Sequence, residues 1–179
     1  MMPPIVIERI RKDVAPPDLD GLVDLLFDAI DDNAGVSFMP GLTRHEAEAW
    51  WKSVVAPDRA IVLVARDDDG IVGTVQIQPS WAPNQPHRGD VAKLIVHRHA
   101  RRRGIGRTLM EALEQEARAA GFTLLLLDTR KDDHPERLYG SMGWVRVGEV
   151  PDFALNPDGS VCTTVFYYKR LAKGVTSPV

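Results

Sequence analysis

The chain contains a basic, glycine-containing turn that could bind an anion. Its sequence is Arg101-Arg102-Arg103-Gly104-Ile105-Gly106-Arg107. An apolar run over 91–96 precedes the turn and predicts a buried strand, and an amphipathic run follows it and predicts a helix. Backbone N–H groups at a helix N-terminus lack intrahelical acceptors, and the helix dipole adds partial positive charge there. We therefore expect a phosphate-bearing ligand at this turn.

Composition limits the partners that the chain could have. The 179 residues carry a formal net charge of −3, and the sequence pI is about 5.9, which argues against a general nucleic-acid-binding protein. No apolar stretch approaches the roughly 20 residues that cross a bilayer, and the first residues lack the order of a signal peptide. We therefore expect a cytoplasmic protein with no nucleic-acid or membrane partner. Five arginines between residues 98 and 107 still favour a local anionic ligand.

The cysteine and histidine content predicts neither a disulfide nor a metal site. Cys162 is the only cysteine, which excludes an internal disulfide and a cysteine zinc cluster. His97 and His99 flank Arg98, but a third ligand at useful spacing is lacking. We expect no metal.

A predicted alternation of strands and helices positions the turn. Most helices show apolar residues at helical spacing, and Thr43 with Glu46 forms a capping-box pattern at the start of the second helix. The fully apolar run over 123–128 predicts a strand buried on both faces, whereas 79–89 and 151–159 predict long loops. The predicted strands are 5–10, 61–65, 71–77, 90–96, 123–128, 145–150 and 161–171, and the predicted helices are 16–32, 43–56, 105–120 and 135–141.

Two motifs in this order of elements resemble the signatures of the GNAT superfamily of acyl-CoA-dependent N-acetyltransferases. The first is Arg101-Arg102-Arg103-Gly104-Ile105-Gly106 between a strand and a helix. The second is Leu138-Tyr139-Gly140-Ser141-Met142-Gly143-Trp144, a tyrosine near the end of a short helix before a glycine–aromatic pair. The resemblance implies an α/β fold, a mixed central sheet flanked by helices, with acyl-CoA in a cleft between the splayed fourth and fifth strands. It also implies a single domain over 1–179, with its core at about 5–171.

Shorter motifs resemble the tabtoxin-resistance acetyltransferases within that superfamily. Those enzymes acetylate and so detoxify a small amino acid that contains a β-lactam. The motifs that carry this resemblance are 25–27, 36–39, 49–50, 91–96, 127–129, 147–151 and 156–159.

The resemblance implies how the donor, acetyl-CoA, is held. The pyrophosphate would lie on backbone N–H groups between Arg103 and Arg107, because Gly104 and Gly106 let that backbone approach closely. Main-chain groups of the fourth strand would pair with the pantetheine arm as an added strand does. The expected cofactor-binding residues are Leu94, Ile95, Val96, Arg101, Arg102, Arg103, Gly104, Ile105, Gly106 and Arg107.

The resemblance also implies the catalytic groups. Asp90 and Asp128 are the two acidic positions that would accept the proton of the acceptor amine, directly or through water, although the family has glutamate where Asp90 stands. Tyr139 would protonate the departing thiolate, and a backbone N–H near Ile95 would hold the oxyanion. Phe38 and Met39 are expected to line the acceptor pocket.

The resulting hypothesis is an acetyl-CoA-dependent N-acetyltransferase that acts on the amine of a small molecule by direct attack in a ternary complex. An amino-acid-like toxin or antibiotic is one candidate acceptor. The alternative is a catalytically silent domain that binds acyl-CoA or a protein partner. A monomer and a homodimer are both compatible with the sequence.

Overall fold

The computed structural model describes residues 4–172, and these residues build one mixed sheet with helices on both faces. The predicted domain limits at 1 and 179 lie outside the described residues. The strands are β1 (Val6–Ile10), β2 (Ile61–Asp67), β3 (Gly70–Pro79), β4 (Arg88–Val96), β5 (Leu124–Arg130), β6 (Val145–Leu155) and β7 (Val161–Arg170). The helices are α1 (Pro16–Asp31), α2 (Arg44–Val55), α3 (Ile105–Ala119) and α4 (His134–Ser141), and a short 3-10 turn spans Arg98–Ala100.

The central strands separate in the middle of the sheet. The strand order is β1-β2-β3-β4-β5-β7-β6, and among the strands of residues 4–172 only β4 and β5 are parallel neighbours. Their pairing joins Arg88–Asp90 to Leu124–Leu126 and goes no further along either strand. The rest of β4 therefore presents an unpaired edge toward β5, as the predicted splay requires.

Strand β4 also carries a bulge. Its register with β3 shifts between the pairs Gln76–Ala92 and Thr74–Ile95, and Lys93 within the bulge has a positive φ of 56°. A bulge of this kind places an extra residue in one strand and changes the direction of its side chain.

Each face of the sheet has its own apolar core. Helices α1 and α2 pack on one face through Leu22, Leu26 and Trp51, where they meet β2 and β4. Helices α3 and α4 pack on the other face, where Leu109 and Leu125 lie in one cluster with Tyr139. The capping box predicted for α2 is confirmed, since Thr43 and Glu46 bond reciprocally.

The prediction that β5 is buried on both faces is wrong. Leu125 and Leu127 are buried against α3 and α4, whereas Leu126 is half-buried and Asp128 is exposed. The core under α1 and α2 draws its strand residues from β1, β2 and β4 rather than from β5, so that side of β5 and β7 stays open. We call this side, which includes Asp90, Leu126, Asp128 and Phe166, the open face.

The predicted long loop at 151–159 is also wrong in part. Strand β6 continues to Leu155 through a bulge at 151–153, where Asp152 has a positive φ of 54°. Pro151 is tolerated because β6 is the edge strand, so the N–H group that proline lacks is not needed by a neighbouring strand.

Within residues 4–172, no helix is long and apolar enough to cross a membrane.

Candidate functional site

A cleft of about 700 Å³ opens where β4 and β5 separate. It contains nine of the ten predicted cofactor-binding residues, from the end of β4 and the glycine turn, and adds residues of α4. The lining residues from these elements are Leu94, Ile95, Val96, Arg101, Arg102, Gly104, Ile105, Gly106, Arg107, His134, Pro135 and Leu138.

The glycine turn exposes the start of α3 to this cleft. Gly104 is the N-cap of α3 with φ 77°, and a Cβ added there would meet no atom of the described part of the chain within 4 Å. The first helical bond runs from the Thr108 N–H to the Gly104 carbonyl, at 3.1 Å. The amides of residues 105–107 precede that bond and have no acceptor inside the helix. Donors of this kind, at the positive end of a helix dipole, fit a phosphate.

The arginines of the turn have different roles. The Arg103 guanidinium donates to Asp67 at 2.9 Å, both side chains are nearly buried, and Arg103 is not among the cleft residues. Arg101 pairs with Asp32 at 2.6 Å. Arg107 donates to the Ser141 hydroxyl at 2.8 Å and stays half-exposed, while Arg102 makes no side-chain hydrogen bond or ion pair within residues 4–172. Arg102 and Arg107 are therefore the arginines best placed to meet a phosphate.

A buried carboxylate on α1, which the sequence patterns did not single out, fixes the chain just before the turn. Asp28 accepts from the Arg98 backbone N–H at 3.0 Å and from Arg98 Nε at 2.7 Å. Burial alone would raise the pKa of Asp28, but the hydrogen bonds from Arg98 bring that pKa below its ordinary value. The available signal was an acidic residue on the otherwise apolar face of α1, where it needs a partner.

Tyr139 lies beside the cleft but inside the core. It is 5% exposed, and its ring centroid is 6.0 Å from that of Trp144 and 6.1 Å from that of Tyr167. Burial, helped by the negative charges of Asp128 and Asp133, raises the pKa of the Tyr139 hydroxyl well above its ordinary value. The hydroxyl is therefore protonated at neutral pH, as a proton donor must be.

The structure brings Asp90 and Asp128 onto the open face of adjoining strands. Asp90 lies opposite Leu126 in the β4–β5 register, and Asp128 is two residues further along the same side of β5. Arg88 donates to the Asp90 carboxylate at 3.0 Å. Although Asp128 is exposed on the open face, partial burial of its carboxyl raises its pKa. The Asp90 charge adds to that increase, and Lys93 opposes it.

The predicted acceptor residues lie in the loop between α1 and α2. Phe38 packs edge-on against Trp50 with a centroid distance of 4.9 Å, and Met39 is 42% exposed. Lys93 reaches the same place from β4, since its ammonium donates to the Ser37 hydroxyl at 3.1 Å. Sequence reasoning missed Lys93, because a regular strand would not have given it the direction that the bulge gives.

Three comparisons with known proteins agree on the family. Residues 25–144 match the acetyltransferase (GNAT) family profile. An uncharacterized N-acetyltransferase from the hisH–hisA intergenic region of Azospirillum brasilense is 33% identical over 132 residues, which are 73% of this chain and 78% of that protein.

Solved structures show the same fold at low sequence identity. An N-acetyltransferase from Staphylococcus aureus Mu50 superposes with a TM-score of 0.81 at 19% identity, covering 94% of this chain and 99% of that one. The Salmonella typhimurium protein yncA, solved with its cofactor acetyl-CoA, gives a TM-score of 0.80 at 17% identity over 98% of this chain and 99% of that one. The predicted α/β fold class is confirmed. The chain therefore belongs to the GNAT family of acetyltransferases, whose acyl donor is acetyl-CoA.

Proposed function

We propose that this acetyltransferase moves an acetyl group from acetyl-CoA to the amine of a small molecule, by direct attack in a ternary complex. The observation that carries the proposal is that the cleft and the open face adjoin where β4 and β5 separate. Leu94 and Arg130 line the cleft, Lys93 directly precedes Leu94 in β4, and Asp128 lies two residues before Arg130 on the same side of β5. A donor in the cleft and an acceptor on the open face would meet at this junction.

The first turn of α3 is proposed to hold the donor. The amides of residues 105–107, with Arg102 and Arg107, would bind the pyrophosphate. The unpaired edge of β4 at Leu94, Ile95 and Val96 offers main-chain groups to the pantetheine arm, as it would to an added strand. When bound, acetyl-CoA supplies a reactive acyl thioester. The Ile95 region would donate a backbone N–H to its carbonyl oxygen.

Asp128 and Asp90 are proposed to remove protons from the acceptor ammonium, directly or through a water. The raised pKa of Asp128 makes its carboxylate a stronger base than an ordinary aspartate, which suits a group that must take a proton from an amine. A nitrogen–carbon bond forms and the carbon–sulfur bond breaks. The ammonium loses two protons in all. One balances the proton that the departing sulfur takes up, and the other passes to solvent.

Tyr139 is proposed to give its proton to the departing sulfur. Its hydroxyl stays protonated at neutral pH, and it lies on α4, the helix that also supplies Leu138 to the cleft wall.

The remaining parts of the proposal are a cytoplasmic location and one acetyltransferase domain over about 5–171. The resemblance of 36–39 and 147–151 to the tabtoxin-resistance enzymes supports an amino-acid-like toxin or antibiotic as acceptor.

A screen of amines with acetyl-CoA tests the proposal. Free thiol is measured for each acceptor, and mass spectrometry checks for the acetylated amine. The panel includes amino-acid antibiotics, simple amines and a peptide with a free N-terminus. We expect thiol release that depends on a small amine, and tight CoA binding without turnover of any amine would instead support a silent domain.

A pair of variants separates the chemistry from the fold. Asp128→Asn removes the base, so turnover should fall about 10²- to 10⁴-fold, as expected for loss of a general base. Asp68→Asn alters an exposed aspartate in the β2–β3 turn and should leave turnover unchanged. Equal activity of both variants would contradict the assignment of Asp128.

A further inference from the structure

Lys93 is a cation on the open face for which the acetyl-transfer mechanism gives no role. Its ammonium donates to the Ser37 hydroxyl at 3.1 Å, and it lies 5.5 Å from the Trp50 ring centroid and 5.9 Å from that of Phe38. Two aromatic rings and one hydroxyl therefore hold the ammonium at the wall formed by the α1–α2 loop, next to the predicted acceptor residue Phe38.

The backbone at this contact is strained on both sides. Lys93 has φ 56° and Ser37 has φ 68°, a left-handed conformation that non-glycine residues rarely adopt. Such strain persists only where the surrounding structure holds it, and it is concentrated at ligand-binding sites. Here the two strained residues are the two that meet, so the contact brings the lysine to a defined place on the acceptor side.

The Lys93 ammonium retains donors for a ligand. An ammonium has three N–H donors, and the Ser37 hydroxyl accepts one. Within residues 4–172, Lys93 makes no ion pair within 4.0 Å, whereas Arg88 is paired with Asp90 and Arg130 with Asp133. Burial lowers the pKa of Lys93, while the negative charge of Asp128 opposes that decrease. The positive charge is therefore partly desolvated and lacks a direct counter-ion among the described residues.

Charges of opposite sign lie on this one face. Asp90 and Asp128 are placed to meet an ammonium, and Lys93 is placed to meet an anion. The Asp128 carboxylate and the Lys93 ammonium influence each other electrostatically, yet they are not in direct contact. A ligand that carries both charges a few bonds apart matches this arrangement.

We propose that Lys93 is a specificity-determining residue that binds a carboxylate, or an equivalent anionic group, on the acceptor. The acceptor is then an amino acid or another amine with an anion close to its nitrogen. This inference rests on the proposed acetyl transfer to a small amine, and it adds the residue that selects an acceptor with an anionic group beside its amine.

The test uses acceptors in pairs, each amino acid with the amine that lacks its carboxylate. Lys93→Met removes the charge and keeps the length of the side chain, and Lys93→Arg keeps the charge. Lys52→Met, on the exposed side of α2, is the matched control. Every variant is compared with the wild type on the same acceptor, so differences in amine basicity cancel. Circular dichroism and the KM for acetyl-CoA show that each variant is folded.

For the amino acid, Lys93→Met should raise KM about 10- to 100-fold, the range for one hydrogen bond to a charged group. Its KM for the amine without a carboxylate should stay near the wild-type value, kcat should change little, and Lys93→Arg should restore most of the affinity. Lys52→Met should behave as the wild type does.

Other outcomes overturn the inference. A Lys93→Met variant whose KM for the amino acid stays near the wild-type value contradicts it, and so does an equal loss of both acceptors in Lys93→Met. If Lys93→Met shifts the pH profile of turnover by the same amount with both acceptors, Lys93 acts only as a counter-ion of Asp128. Absence of turnover with every amine is a separate result, because it refutes the proposed function itself.

Discussion

Removal of the Asp67 carboxylate should destabilise the protein strongly, because it breaks the buried ion pair between Asp67 and Arg103 from one side. Asp67 ends β2, its side chain is 2% exposed, and that of Arg103, which donates to it at 2.9 Å, is 14% exposed. Breaking a buried ion pair from one side costs about 3–5 kcal/mol. We expect Asp67→Ala to lose free energy of unfolding in this range, a large part of the 5–15 kcal/mol that is typical of a domain.

Urea unfolding followed by tryptophan fluorescence measures this loss, since Trp51 and Trp144 are buried and report the core. Asp68→Ala, one residue further along and exposed, is the control and should change the stability by less than about 0.5 kcal/mol.

A second comparison identifies the origin of the loss. If breaking the ion pair from one side causes the loss, the double variant Asp67→Leu with Arg103→Met should recover most of the stability, because two apolar side chains replace the pair. A loss below about 1 kcal/mol in Asp67→Ala, or no recovery in the double variant, would refute the reasoning, since a surface ion pair has a value of that size.

Three further predictions concern the acetyl-CoA site, the proposed proton donor Tyr139 and the stability of the fold at low pH. Gly104→Ala and Gly121→Ala place a side chain at similar positive φ values, 77° and 83°, so both should lose about 1–2 kcal/mol of stability. Only Gly104→Ala should also weaken acetyl-CoA binding in calorimetry. A Gly104→Ala variant that binds acetyl-CoA as tightly as Gly121→Ala does would count against the pyrophosphate assignment. Tyr139→Phe should lower kcat about 10²- to 10⁴-fold with little change in CoA affinity, and an unchanged kcat would exclude Tyr139 as the acid. The pKa of Asp28 is lowered in the fold, so its stabilisation is present above the unfolded-state pKa and is lost as the pH falls through the folded-state pKa. In urea titrations at several pH values, Asp28→Asn should therefore lose this acid-dependent component, and a variant with the wild-type pH dependence would disprove the linkage.

The elements that depend on local patterns were predictable from the sequence. Helix α2 follows from apolar spacing and a capping box between Thr43 and Glu46, which are three residues apart. The glycine turn is local as well, because its conformation depends on Gly104 and its neighbours. Periodicity, caps and glycine conformations are read within one segment, so a single sequence contains them.

The features that the sequence did not predict depend on distant parts of the chain. Asp28 and Arg98 are 70 residues apart, and Asp67 and Arg103 are 36 apart, so no local pattern shows that they meet. The exposure of Asp128 depends on where α1 and α2 end over the sheet, not on the apolar run around it. The bulge at Lys93 is a register shift against β3, which the alternation of β4 alone does not reveal.

The arginine turn shows that charge in a sequence differs from charge available to a ligand. Two of its arginines, Arg101 and Arg103, are held by carboxylates of Asp32 and Asp67, so their charge is largely compensated within the protein. Both pairs also connect the glycine turn to other elements, Arg101 to the end of α1 and Arg103 to the end of β2. On electrostatic grounds alone, the affinity of the turn for an anion should increase when a nearby carboxylate is removed. We expect removal of Asp67 also to loosen the turn that carries the backbone donors, so that a geometric loss opposes the electrostatic gain. We therefore expect the affinity of the turn for a phosphate to depend mainly on its amides and their placement, with Arg102 and Arg107 as its available charges.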